Sequence, residues 1–119
     1  MGAVYYVELM LKYDDEKKIV EKAHECMEKQ IKEDRTSFER DFDDLDGMAE
    51  TYLAAHQHDF VKHGEGDWSS GFDASYGWEI VITDLFEYIA PYLKDGSLLY
   101  MEPDNSHYTL KVKDGKVKW

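Results

Sequence analysis

The chain has 119 residues, of which 43% are hydrophobic and 34% charged, with 26 acidic side chains against 14 basic ones and a net charge of −12. Nine Tyr, five Phe and three Trp exclude a solvated, disordered chain, and the length suits one α+β-sized domain over residues 1–119 with a core that needs no staples. The acid excess argues against direct binding to nucleic acid or to an anionic membrane, and the lone Cys26 excludes an internal disulfide and a multi-cysteine zinc site.

The β-branched and aromatic run Ala3 to Tyr13 predicts a strand, apolar at nearly every position from Val4 to Leu11 and therefore central in its sheet. Asp14 and Asp15 are good N-caps for a helix over Glu16–Glu33, whose Val20, Ala23, Met27 and Ile31 repeat at helical spacing, with Ile19 and Cys26 widening the stripe. Thr36 and Glu39 fit a capping box, and Phe38, Phe42, Leu45 and Leu53 extend a helical pattern that Gly47 interrupts. Residues 56–77 hold Gly64, Gly66, Gly71 and Gly77 among serines and predict a long loop holding one short strand near Trp68 or Phe72. Trp78, Val81, Ile82, Leu85, Phe86, Ile89 and Leu93 share a helical face, which Gly96 ends. Strands follow at Ser97–Glu102 and His107–Lys113, and Asp114-Gly115 is the chemistry of a tight hairpin returning through Lys116–Trp119.

The order β-α-α-loop-α-β-β-β predicts a single α+β domain: a mostly antiparallel sheet of about four strands with the helices on one face. Leu9, Leu11, Val20, Met27, Phe86, Ile89, Leu110 and Val112 are its expected core. The runs Phe72 to Glu79, Ile89 to Ser97 and Asp114 to Val117 resemble small acidic bacterial and phage proteins over residues 72–119. The resemblance implies a helix stop, a strand and a hairpin, and carries no activity with it.

No apolar run approaches the ~20 residues of a membrane span, the first residues lack the basic-then-apolar form of a signal peptide, and cysteine usage suits the cytosol. No phosphate-cradling glycine loop, nucleophile elbow or dinucleotide fingerprint is present, so no enzyme activity and no cofactor are expected. Aligning Gly47 with the invariant glycine of a calcium loop puts Phe42 and Leu53 at the first and last ligand positions, which excludes that motif. His56, His58 and His63, with Asp59, Glu65 and Asp67, form a ligand-rich stretch, and a metal or small-ligand module built on His56–Asp67 is the alternative reading.

The leading reading rests on charge. Asp41, Asp43, Asp44 and Asp46 fall within one short block that continues to Glu50, and no Lys or Arg occurs between Lys62 and Lys94. Carboxylates on successive helical turns lie ~5–6 Å apart, a spacing comparable with that of phosphates along a nucleic-acid strand. Such a face can occupy a groove built for nucleic acid and steer association. The expected function is therefore a non-enzymatic inhibitor of a basic, nucleic-acid-handling partner such as a nuclease, as immunity, anti-CRISPR and anti-restriction proteins are. The expected contact residues are Asp41, Asp43, Asp44, Asp46, Glu50, Glu65, Asp67 and Asp73, with Trp68 and Tyr76 as exposed aromatic anchors.

Overall fold

The computed structural model describes residues 4–33, 42–53, 58–75, 77–103 and 106–118. Strand β1 (Val4–Lys12) is followed by helix α1 (Glu16–Lys32), helix α2 (Leu45–Leu53), a hairpin of β2 (His58–Gly64) and β3 (Asp67–Ser75), helix α3 (Glu79–Ile89), and strands β4 (Leu98–Glu102), β5 (Tyr108–Lys113) and β6 (Lys116–Lys118). The strands form one antiparallel sheet in the order β2-β3-β1-β4-β5-β6. The α+β class holds, and β1 is central as its apolar content demands.

Among the described residues the sheet has six strands, not four, because residues 58–75 of the expected loop form a hairpin. Its second strand alternates: Trp68, Ser70 and Ala74 are buried while Ser69, Gly71 and Asp73 are partly exposed. Serine and glycine are poor strand formers, so composition reads as loop. The open edge of β1 overrides that preference by pairing Val4–Lys12 with Asp67–Ser75 without a break. Gly66, at φ +79°, turns the chain from β2 into β3, and its carbonyl accepts from the Tyr13 N–H at 3.1 Å.

Period two decides the packing. Tyr5, Val7, Leu9, Leu11 and Tyr13 are buried, whereas Tyr6, Glu8, Met10 and Lys12 lie on the opposite, more open face. Met48, Ala49, Ile82, Leu85, Phe86 and Ile89 close over Leu9 from α2 and α3. Asp15 caps α1, its carboxylate accepting from the Lys18 N–H. The buried stripe of α1 runs through Ile19, Val20, Ala23, Cys26 and Met27. Ile31, expected on that stripe, is 47% exposed. Gln30 is buried instead, donating from Nε2 to the Val81 carbonyl of α3 at 3.3 Å.

The expected second helix starts late. Asp44 caps it, accepting the Gly47 N–H at 2.7 Å, and the expected Thr36–Glu39 box lies outside the described residues. A Cβ on Gly47 would sit 3.0 Å from the Phe42 Cβ, so the glycine that interrupts the helical pattern is what admits Phe42 against the first turn. The His24 ring stacks on Phe42 at 4.2 Å, and its Nε2–H donates to the Phe42 carbonyl at 2.6 Å. Helix α3 ends four residues short of the predicted Leu93. Pro91 has no N–H for the helical ladder, and Ala90–Tyr92 tighten into a 3₁₀ turn.

At the far edge, Asp114 (φ 53°) and Gly115 (φ 74°) make the left-handed pair that the two-residue hairpin requires. All eight expected core residues are buried. Phe86, 1% exposed, lies where α3 meets Leu9. Phe86→Ala is expected to cost ~3–5 kcal/mol, read as a lowered midpoint in urea unfolding. A loss below ~1 kcal/mol would place the packed face of α3 elsewhere.

Candidate partner-binding surface

The C-terminal end of β1 gathers carboxylates from α1, α2 and β3. Tyr13, 4% exposed, donates its hydroxyl to Glu16 Oε1 at 3.0 Å, at the start of α1. Asp46 reaches in from α2 and Asp67 from the first position of β3. Burial, the Glu16 hydrogen bond and the negative charges of Glu16, Asp67 and Asp46 together push the Tyr13 phenol up to about 12. Exposed Asp14 and Asp15 precede Glu16, exposed Asp43 and Asp44 precede α2, and exposed Glu65 sits at the β2–β3 turn. Lys12 Nζ lies 3.9 Å from Asp67 and Lys94 Nζ 3.5 Å from Asp14. Both pairs are substantially open to water and are worth little to stability.

Trp68 corrects the sequence reading most sharply. It is not an exposed anchor but 1% exposed, one of the largest side chains in the core. Register places it opposite Leu11, on the face that the helices cover. Its indole N–H, which burial would otherwise leave without water, donates to Asp46 Oδ1 at 2.7 Å. Asp46 is therefore both exposed and structural, tying α2 to β3. With the cap at Asp44, two of the acidic block's aspartates also hold the fold.

The other expected residues divide. Asp43, Asp44, Asp46, Glu65 and Asp67 share the acidic end, and Glu50 is half-buried one turn further along α2. Asp73 does not join them. It pairs with Tyr6 near the other end of β3, six residues or ~20 Å of strand from Asp67, on the open face. Asp41, Tyr76 and His56 lie outside the described residues.

Of the His56–Asp67 stretch, the described residues His58–Asp67 are strand and turn. His58 pairs with Phe72, and His63 falls at the irregularity between Lys62 and Gly64. Among the described residues, no group of three His, Cys, Asp or Glu side chains is placed to hold a metal ion. Cys26, buried in α1, is part of the core.

Sequence reading missed Tyr13 and Glu16 as members of this surface. The signal was present, since a strand ending in Tyr-Asp-Asp-Glu must deliver those acids to one end of the sheet, but only the β2–β3 turn shows which other carboxylates meet them there. No family model, no curated protein and no solved structure matches the chain. No helix among the described residues is long and apolar enough to cross a membrane.

The buried phenol has a pH signature. Its folded-state value, about 12, lies above the ordinary 10, so the native state retains a proton that the unfolded chain releases. Stability from this group is complete below pH 10 and is lost as pH rises toward 12. The gap in melting temperature between the wild type and Tyr13→Phe is expected to move against the wild type across that window; a gap constant with pH would contradict it. Gly66→Ala tests the turn that closes this end. The new Cβ would lie 2.5 Å from the Tyr13 carbonyl oxygen at a φ that alanine resists, and a loss of at least ~2 kcal/mol is expected in chemical denaturation.

Proposed function

We propose that the protein is a non-enzymatic inhibitor that acts in the cytosol by docking the acidic end of its sheet onto a basic, nucleic-acid-handling protein such as a nuclease. Immunity proteins and phage anti-CRISPR or anti-restriction proteins are the functional type. The observation that carries the reading is the convergence of Glu16, Asp46 and Asp67 from separate elements around Tyr13, with Asp43, Asp44 and Glu65 exposed beside them. Charges scattered by chance along a chain need not meet; here the β1–β3 register and the Trp68–Asp46 hydrogen bond bring them to one place.

Such a surface favours fast, salt-sensitive association with a cationic groove. The carboxylates are mounted on a capped helix, a strand start and a tight turn, so little ordering is left to be done on binding. The four lysines Lys111, Lys113, Lys116 and Lys118 sit on β5 and β6, across the sheet from β2 and β3. That separation keeps them from neutralising the acidic end.

The test uses Asp43→Asn with Glu65→Gln, two exposed positions that remove charge while leaving the Asp44 cap and the Trp68–Asp46 bond intact. Octalysine serves as a minimal basic partner in calorimetry, and a nuclease captured and purified with the protein serves as the full one. Wild-type affinity is expected to fall steeply from 0.05 to 0.5 M salt, as the screening length shortens. The double variant is expected to associate several-fold more slowly at low salt, with its melting temperature nearly unchanged. Unchanged association rates at low salt would refute this surface as the docking site.

A further inference from the structure

A second surface lies at the other end of the molecule. The first turns of α3 stand away from the ends of β4 and β5 and leave an open cleft of about 350 Å³. Ile80 and Thr83 form its helical wall and Tyr108 its strand wall, while Met101 and Pro103 complete the apolar lining. Met101 pairs with Val7 in β1, so the cleft is ~20 Å along the sheet from Tyr13 and shares no residue with the acidic end.

Two features set it apart from an ordinary surface dent. Ile80 is 63% exposed and Tyr108 45% exposed, two large apolar side chains left uncovered on either side of one cleft. Isolated exposed apolar residues are common and mean little; two that face a shared apolar recess mark a contact surface. In addition, the charged residues at its rim are Glu79 and Asp84, and among the described residues none that lines it is basic. Glu79 is held in place, its Oε2 accepting the Gly77 N–H at 2.9 Å. An apolar recess with a phenol ring and two carboxylates at its edge complements an apolar group that carries positive charge beside it.

The openness of the walls decides what kind of molecule that is. Small-molecule sites enclose most of their ligand's surface. With Ile80 more than half exposed, this cleft covers only one side of an occupant, which suits a side chain projecting from a longer segment. We propose that the α3–β4–β5 cleft is a docking site for a segment of a partner protein that presents a large apolar side chain flanked by Lys or Arg. The apolar side chain fills the recess over Met101, and the flanking cations meet Glu79, Asp84 and the Tyr108 ring. This site goes beyond the acidic end and stands without it.

Fluorescence anisotropy with the full chain tests the proposal. The probe is labelled Lys-Lys-Leu-Phe-Lys-Lys, compared with Lys-Lys-Gly-Gly-Lys-Lys of equal charge and with Glu-Glu-Leu-Phe-Glu-Glu. The Leu-Phe lysine peptide is expected to bind at least tenfold more tightly than either comparison. Thr83→Trp fills the cleft and is expected to abolish that preference while leaving the weaker Gly-Gly binding as it was. Ile80→Ser removes one wall and is expected to do the same, which keeps the test open should the tryptophan variant misfold. Glu79→Gln with Asp84→Asn is expected to narrow the gap between the Lys- and Glu-flanked peptides. Asp43→Asn with Glu65→Gln is expected to weaken the Gly-Gly peptide and to leave the Leu-Phe preference standing, so a failed acidic end and a failed cleft give different results. Absence of a Leu-Phe preference in the wild type, or its survival in both Thr83→Trp and Ile80→Ser, would overturn the proposal; equal binding of the Glu-flanked peptide would overturn the charge requirement.

Discussion

The alternation of β1 is the constraint from which the rest of this structure follows. Its odd residues from Tyr5 to Leu11, with Tyr13 just beyond its end, must leave water, and its even residues, Tyr6 to Lys12, keep partial access to it. A strand in that position needs backbone partners on both edges. β3 supplies one edge along the whole length of β1 and β4 the other over Tyr6–Met10. Once β1 is flanked in this way, the buried face requires a cover, and Leu9 receives it from α2 and α3. Slipping the register by one residue would send Leu9 and Leu11 to the open face and bring Glu8 and Lys12 into the core, so the pairing is strongly specified.

Ser97 fixes where the C-terminal strands join this arrangement. Fully buried, its hydroxyl accepts the Lys12 N–H at 2.8 Å and donates to the Lys94 carbonyl at 2.9 Å, while its own carbonyl accepts from Val112. The Lys94 N–H donates in turn to the Lys12 carbonyl at 2.7 Å. One small side chain therefore satisfies the backbone at the point where β1 stops pairing with β4, and the end of β1 stays ordered beside the carboxylates that surround Tyr13.

The acidic surface is tied to the fold through Trp68. A buried indole must find an acceptor for its N–H, and Asp46 provides it from α2. The contact makes an acid that reads as surface charge into a fastening between helix and sheet, and it makes an aromatic that reads as an exposed anchor into core. The two proposed binding surfaces differ in kind for the same topological reason. At the Tyr13 end, strand ends, a turn and a helix start deliver carboxylates; at the Val7 end, α3 diverges from the sheet before its apolar wall is covered, and Ile80 and Tyr108 remain bare.

By itself the sequence determined the class, the cap of α1 at Asp15, the hairpin at Asp114-Gly115 and the eight expected core residues, because each of these rests on local periodicity or on one residue's backbone preference. It also determined that charge would be segregated, since the base-free run between Lys62 and Lys94 is a property of the chain. Only the tertiary structure decided that Ser69, Ser70 and Gly71 lie in a strand, because their conformation is imposed by the edge of β1 and not by their own propensities. Only the tertiary structure separated Asp73 from Asp67, buried Trp68, and left Ile80 and Tyr108 facing one cleft. These facts depend on register and on the angle at which a helix meets a sheet, which are set by contacts between residues far apart in the chain and leave no mark on spacing within any one segment.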